Sequence, residues 1–370
     1  MRIGIDAKWF FNGNASGRVV VRNLLEKLIE LNKENEIYVI LNKKDIKEIF
    51  PFQKNNVKLI YVWGGVNLLS NIFVIPFVLL RYKLDVCIFQ YFAPLFGKYK
   101  KIVFIHDIIF KTNPEYFTLK ERIYFSPMKF LAKYSDGIVT VSESEKERII
   151  KQKFLGKKTR IQVVYNGVDK KFKPKEYLNK KDLEQLMVKY NLPERFLLYV
   201  GRLNERKNIL NLLKAINILN DKKIKLVLCG NYNWKMFNLP QMINELGLGE
   251  RIILLGYVND EELLLLYSLA SVFCFVSYEE GFGLPPLEAM ASGIPVVISN
   301  INSLIEVCGE AGYYCNPNDP KDIAEKIDMV LTNKELRELK IRNGLERSKN
   351  FNWEKSAKIL LQFLEQVIQS

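Results

Sequence analysis

Short, continuous apolar runs alternate along the chain with longer stretches whose apolar positions recur every three or four residues. RIGIDA, EIYVILN, VKLIYVW, LDVCIFQ, KIVFIHD and GIVTVS read as strands buried on both faces, and VVVRNLLEKLIELNK among them reads as an amphipathic helix. A second series follows: RFLLYVGR, IKLVLCGN, RIILLGYV, SVFCFVS, IPVVISN and AGYYCNP. Strands alternating with helices predict parallel sheets covered on both sides, and two series predict two Rossmann-like α/β domains. The turn-rich, charged stretch Tyr165–Tyr177 is the expected joint, dividing the chain into residues 1–168, 169–352 and a final amphipathic helix over 353–370 that can cross back to the first domain.

In open α/β sheets ligands bind beyond the carboxyl ends of the strands, so the residues just after each run are the candidates. Arg202, Arg206 and Lys207 follow one strand, Gly230 and Asn231 the next, and Gly256 and Tyr257 a third. A fourth strand leads into SYEEGFGLPPLEAMASG, from Ser277 to Gly293. Pro285 and Pro286 suit the first turn of a helix, where a missing N–H removes no bond, and Gly293 suits its left-handed end. A short helix over about 285–292 is therefore expected, with Gly281, Phe282, Gly283 and Leu284 as its entry. The start of such a helix favours an anion, with Glu280 before it and Glu288 one turn inside. Glutamate near a helix start is also favoured by the dipole alone, so this stretch by itself leaves scaffold and function open. In the first half, Gly17 and Arg18 are expected to lie in a loop before a helix, as a weaker phosphate-approach loop, and His106 ends an apolar strand next to Asp107. His106 is the single histidine of the chain. There is no DxD sequence and no paired-histidine spacing, so no metal site is expected.

Composition narrows the class further. A chain of 370 residues with 48% hydrophobic and 26% charged residues builds two ordinary domains. The apolar stretch Leu68–Leu80 is interrupted by Ser, Asn and Pro and is too short to span a bilayer. The N-terminus shows no signal-peptide pattern, and five scattered cysteines without CxxC spacing suit a reducing compartment, so a cytoplasmic location is expected. The charge is lopsided: residues 1–168 hold 28 Lys and Arg against 15 Asp and Glu, a net of +13, while the other 202 residues hold 27 against 26. That asymmetry points to an anionic partner of the first half.

EGFGLPPLE resembles the E-x7-E motif of the retaining glycosyltransferases of family 4, which have the GT-B fold. GRLNERKN, the glycine near position 17, IHD, VSESEKERI, VVYNGVD and FNWEKSAKILL match in family order over essentially the whole chain. The overall pattern is most similar to mannosyltransferase-like bacterial enzymes of O-antigen, capsule or exopolysaccharide synthesis. The resemblance implies two Rossmann-like domains with a deep cleft between them, the C-terminal one holding a nucleotide-diphosphate sugar and the N-terminal one a saccharide or lipid-linked acceptor. It implies that Arg202 and Lys207 neutralise the diphosphate, and that Glu280 accepts from the donor sugar and Glu288 from the ribose. The amides of Gly283 and Leu284 would face phosphate or sugar, Gly17 would let its loop close, His106 would approach the sugar's C6 hydroxyl, and Gly230, Asn231 and Tyr257 would lie near the base. One departure is ASGR, where relatives often carry two closely spaced glycines.

The expected reaction is hexosyl transfer with retention, without cofactor or metal, from GDP-mannose first and a UDP-hexose second. The alternatives are a GT-B sugar-nucleotide epimerase and, least favoured by the paired glutamates, a nucleic-acid-binding protein. The basic half further suggests peripheral contact with an anionic membrane at its cytoplasmic face.

Overall fold

The computed structural model of the chain describes all residues except 14, 33, 232–237 and 370. They form two compact units, Met1–Gly167 with Asn352–Ser370, and Val168–Phe351. The first unit is built on seven parallel strands: β1 (Arg2–Asp6), β2 (Glu36–Asn42), β3 (Val57–Val62), β4 (Val86–Gln90), β5 (Lys100–Ile105), β6 (Gly137–Thr140) and β7 (Arg160–Val163). Their spatial order is β3-β2-β1-β4-β5-β6-β7, so the strand order reverses beside β1 and β4. Six of the seven are the apolar runs of the first half. The seventh, RIQV, lies at the sheet edge and buries only Val163, so its sequence carries too few apolar residues to announce a strand.

One face of this sheet is covered by α1 (Ala15–Leu31) and by the C-terminal helix Trp353–Ile368, which pack on each other. Val20, Leu24 and Leu28 from α1 and Leu360 from the C-terminal helix close over Ile5 and Ile88 of the sheet, leaving a void of only about 10 Å³. The opposite face carries the helical segment between β3 and β4 and α2 (Leu119–Phe125), and buries Phe89, Phe92, Val103, Ile105 and Met128 in one cluster. Also in this unit, α3 (Glu143–Lys151) starts on Ser142, whose hydroxyl accepts from the Glu145 amide at 3.0 Å.

The second unit has six parallel strands: β8 (Phe196–Val200), β9 (Lys225–Cys229), β10 (Ile252–Gly256), β11 (Val272–Phe275), β12 (Val296–Ser299) and β13 (Gly312–Cys315). They are ordered β10-β9-β8-β11-β12-β13, with the reversal between β8 and β11. All six are the runs of the second series. The helices that matter for the site are α4 (Ile209–Ile218), α5 (Asp260–Leu269) and α6 (Leu284–Ala291). All five cysteines are free and buried.

One expectation about the first unit is corrected. Gly17 lies inside the first turn of α1 rather than in a loop before it. A Cβ at that position would stand 2.9 Å from Cε3 of Trp9, so the glycine admits an indole ring against the helix. Asn14 of the same stretch, and Lys33 of the helical run that follows, lie outside the described residues.

Candidate functional site

In the second unit the loops at the reversal point are knitted together by backbone and amide bonds. Gly230 has φ +141°, and a Cβ on it would fall 1.9 Å from the carbonyl oxygen of Gly201, so the ends of β8 and β9 pass too closely for any side chain. Beyond β8, the Asn204 side chain accepts from the Lys207 amide at 3.2 Å and caps a single turn, Glu205–Lys207. Asn208 follows in the left-handed region with φ 58°, and its side-chain amide donates to the carbonyls of Val276 (2.9 Å) and Pro317 (2.6 Å). The Tyr278 amide donates to the Arg206 carbonyl at 3.0 Å, and the Arg206 guanidinium donates to the carbonyl of Glu279. The loops after β8 and β11 thus behave as one rigid piece.

That piece presents a buried charge cluster. One oxygen of Glu280 takes the ammonium of Lys207, and the other lies 3.3 Å from the Arg206 guanidinium. Glu280 and Lys207 are both buried, and the Lys207 ammonium also sits 4.8 Å over the Phe275 ring. Burial alone would push the Glu280 carboxyl up, but Lys207 and Arg206 outweigh it and hold it below its ordinary value, so it is an anion. Sequence reasoning paired Arg202 with Lys207, whereas the structure brings Arg206 to the cluster. Arg202 is exposed and has no ion pair among the described residues. The available signal was the Asn204 cap, which turns Arg206 and Lys207 inward together.

Next to the cluster, Gly283 opens α6 with φ +117°, and a Cβ on it would meet Cδ2 of Leu304 at 2.6 Å. Pro285 and Pro286 occupy the first turn of α6 as expected, and Gly293 ends it with φ +73°. Gly281, Phe282, Gly283 and Leu284 are all buried. Glu288, one turn into α6, accepts from the Tyr267 hydroxyl of α5 at 2.9 Å. Burial pushes its carboxyl up to about 8, with Asp260 and Asp169 adding to the shift and Tyr267 opposing it, so Glu288 holds a proton at neutral pH. The two glutamates therefore differ in charge: Glu280 is a paired anion and Glu288 a neutral acid. Asn231 follows Gly230, and its carbonyl accepts from the Leu203 amide at 3.1 Å; Tyr257 projects from the end of β10 into solvent.

In the first unit His106 follows β5, likewise at a carboxyl end. Its ring stacks on Phe104 with centroids 4.6 Å apart and is flanked by Tyr91 at 5.4 Å and Trp9 at 5.9 Å. Burial pulls its pKa down to about 4. The loop after His106 is pinned from α3, where buried Glu145 accepts from the Ile108 amide at 2.7 Å. Sequence reasoning missed the buried polar chain of Asp6, Lys8, Asn71 and Gln90, whose last member reaches this ring. Among the described residues no group of three or more His, Cys, Asp or Glu side chains comes together as metal ligands.

Two family models cover most of the chain: Glycosyltransferase Family 4 over residues 17–172 and Glycosyl transferases group 1 over residues 180–347. The O-antigen chain mannosyltransferase B of Escherichia coli is 37% identical over 265 residues, which is 69% of this chain and 67% of that protein. The chain belongs to glycosyltransferase family 4. A second relative, the O-antigen chain mannosyltransferase RfbU of Salmonella typhimurium, is 32% identical over 64% of this chain and 62% of its own length. Against the serotype-specific mannosyltransferase WbdA of Escherichia coli the chain is 30% identical, but it spans only 34% of that longer protein. Among solved structures, the sucrose-phosphate synthase of Thermosynechococcus elongatus matches with TM-score 0.80 over 100% of this chain and 99% of its own, at 20% identity. Anabaena HepE in complex with UDP and glucose matches with TM-score 0.75 over 99% of this chain and 100% of its own, at 18% identity. The glycosyltransferase WaaG, of lipopolysaccharide biosynthesis, matches with TM-score 0.74 at 15% identity. The architecture is therefore GT-B, and the protein is a glycosyltransferase, an enzyme class that takes nucleotide-sugar donors and saccharide acceptors.

Proposed function

We propose that this glycosyltransferase moves a mannosyl group from GDP-mannose to a saccharide or lipid-linked saccharide during cell-surface polysaccharide synthesis, with retention of anomeric configuration. The observation that carries the reading is the Glu280–Lys207–Arg206 cluster at the strand-order reversal, beside the start of α6. The donor diphosphate would lie against the α6 start, where the amides of Gly283 and Leu284 and the helix dipole favour negative charge. Lys207 and Arg206, with the exposed Arg202, would stabilise the charge that grows on the leaving group as the glycosidic bond to it breaks. Glu280 would accept from the sugar hydroxyls, Glu288 would meet the ribose, and Gly230, Asn231 and Tyr257 would border the base. The relatives' names supply mannose as the sugar of first choice. Release of nucleoside diphosphate from a panel of GDP-mannose, UDP-glucose and UDP-galactose, with a polysaccharide-repeat acceptor, tests the assignment. Turnover of GDP-mannose alone supports it, and turnover of a UDP-hexose alone replaces the donor.

The reaction proceeds without a divalent metal in this reading, because protein cations supply the charge a metal would otherwise provide. Turnover that chelator leaves unchanged is the expected result. Complete loss in chelator, restored by added magnesium or manganese, would overturn it.

The acceptor would be met at an anionic membrane surface. In the first unit Phe73, Phe77, Leu80, Leu119 and Ile123 are each more than half exposed. Leu68 and Tyr124, from the same two helical segments, pack on one shared core. Arg81 and Lys83, just after the first segment, and Lys120 and Arg122, on the second, are exposed too. Basic and apolar groups mixed on one side suit a peripheral, charge-led contact. Among the described residues no helix is long and apolar enough to cross a membrane.

A further inference from the structure

The carboxyl ends of β1, β4 and β5 share a buried polar chain that donor binding in the second unit leaves unused. Asp6 closes β1; one of its carboxylate oxygens takes the Lys8 ammonium at 2.7 Å, and the other takes the Asn71 amide at 3.2 Å and the Gln90 backbone N–H at 3.4 Å. Asn71 in turn accepts from Lys8 at 2.6 Å and donates to the Phe92 carbonyl at 2.9 Å. Asp6, Lys8, Asn71 and Gln90 are all buried, so each depends on the others for partners. At the end of this chain the Gln90 side chain reaches Nε2 of His106 at 2.9 Å.

We propose that Gln90 is a positioning residue that fixes His106 as the neutral tautomer protonated on Nε2, leaving Nδ1 as a hydrogen-bond acceptor for a substrate hydroxyl. The order of donors and acceptors forces the tautomer. The Gln90 side-chain nitrogen lies 3.4 Å from the backbone carbonyl of Asp6, an atom that only accepts, so the amide's donor end faces Asp6. Its oxygen therefore faces His106, and a carbonyl oxygen there requires Nε2 to carry the proton. His106 Nδ1 makes no hydrogen bond among the described residues. The ring cannot rotate away, because Phe104, Tyr91 and Trp9 surround it. Tyr91 is itself held at φ +63°, an uncommon backbone for an aromatic residue, in a tight turn where the Phe92 amide donates to the Gln90 carbonyl at 2.8 Å. That turn brings the Gln90 side chain and the Tyr91 ring to the same imidazole. Burial keeps the ring neutral across physiological pH, so the Nδ1 lone pair persists.

The tautomer is a property of the protein alone; only the owner of the hydroxyl rests on the transfer reading. The chain has one histidine, so the full-length protein labelled with ¹⁵N-histidine gives one set of ring signals in a long-range ¹H–¹⁵N correlation. The expected spectrum at pH 7 shows a protonated Nε2 and a bare Nδ1. Gln90→Leu is expected to release the lock and give averaged ring nitrogens. Gln90→Glu is expected to keep Nε2–H and raise the His106 pKa, since a carboxylate favours the imidazolium. A wild-type Nδ1–H tautomer, an imidazolium at pH 7, or a Gln90→Leu spectrum identical to wild type would each overturn the proposal. Should Gln90→Leu fail to fold, the wild-type spectrum and the Gln90→Glu titration still decide it. Donor turnover measured alongside separates the two readings: no turnover with the tautomer intact rejects the transfer, not the lock.

Discussion

Two glutamates eight positions apart occupy different electrostatic surroundings, and their charges follow. Glu280, gripped by Lys207 and Arg206, is ionised, whereas Glu288, facing Tyr267 and with no ion pair among the described residues, is protonated. Glu280→Gln is expected to lower kcat by about 10²–10³ while changing nucleoside-diphosphate affinity little, because the charge cluster acts as bonds reorganise. Glu288→Ala is expected to weaken the nucleotide chiefly; steady-state kinetics with calorimetry separates the two effects, and equal losses of nucleotide binding would sink the assignment. The raised carboxyl of Glu288 also predicts a pH effect with a definite sign. Between its unfolded value near 4.5 and about 8, the folded protein holds a proton that the unfolded chain has released. Stability therefore falls as pH rises through that window, by at most about 1.4 kcal/mol per pH unit. Glu288→Gln should remove this slope and raise Tm at pH 8 relative to wild type, as read by thermal melts from pH 5 to 8.

At the scale of elements, the strands were the most legible feature, since a parallel sheet covered on both faces demands unbroken apolar runs. Only β7 escaped, because an edge strand half open to solvent needs few apolar residues. The α6 entry was legible from Pro285, Pro286 and the glycines, each of which has a backbone reason. The histidine's surroundings were not, because Asp6 and Lys8 lie far along the chain from Asn71 and Gln90 and no local pattern reveals that they share one buried chain. Gly17 shows how a glycine near a helix start misleads: the motive is Trp9, an aromatic ring earlier in the chain. Gly283 admits a sharper test. Gly283→Ala keeps a left-handed backbone that alanine adopts poorly and brings its methyl onto Leu304, a combination of order 1–3 kcal/mol. A Tm lowered by several degrees, with nucleotide binding weakened, is the expected outcome, and an unchanged melt would show that the α6 entry tolerates a side chain.

For the whole molecule, the excess charge of the first half and its exposed apolar residues predict how it meets a lipid surface. The full chain is expected to co-sediment with vesicles containing anionic lipid at low salt and to release at high salt, since each basic group near the surface contributes about 1 kcal/mol and salt screens it within about 8 Å. Phe77→Ser with Leu119→Ser should weaken the low-salt binding further. Equal binding to neutral vesicles, or binding indifferent to salt, would remove the electrostatic account.

The route of the chain through the first unit has a temporal consequence. Residues 168–351 form the second unit entirely, whereas the first is completed only by residues after 351. Gly167 lies against the start of the C-terminal helix, where a Cβ would stand 2.5 Å from the Trp353 amide nitrogen, so the two severed ends of the first unit are neighbours. As the chain leaves the ribosome, the second unit has all its residues before the first has its last helix. Until Leu360, Phe363, Leu364 and Val367 emerge, nothing from the C-terminal helix shields Val20, Leu24 and Leu28. A nascent chain that has emerged as far as residue 351 is thus an unfinished N-terminal unit tethered to a complete C-terminal one, with that face of α1 still uncovered.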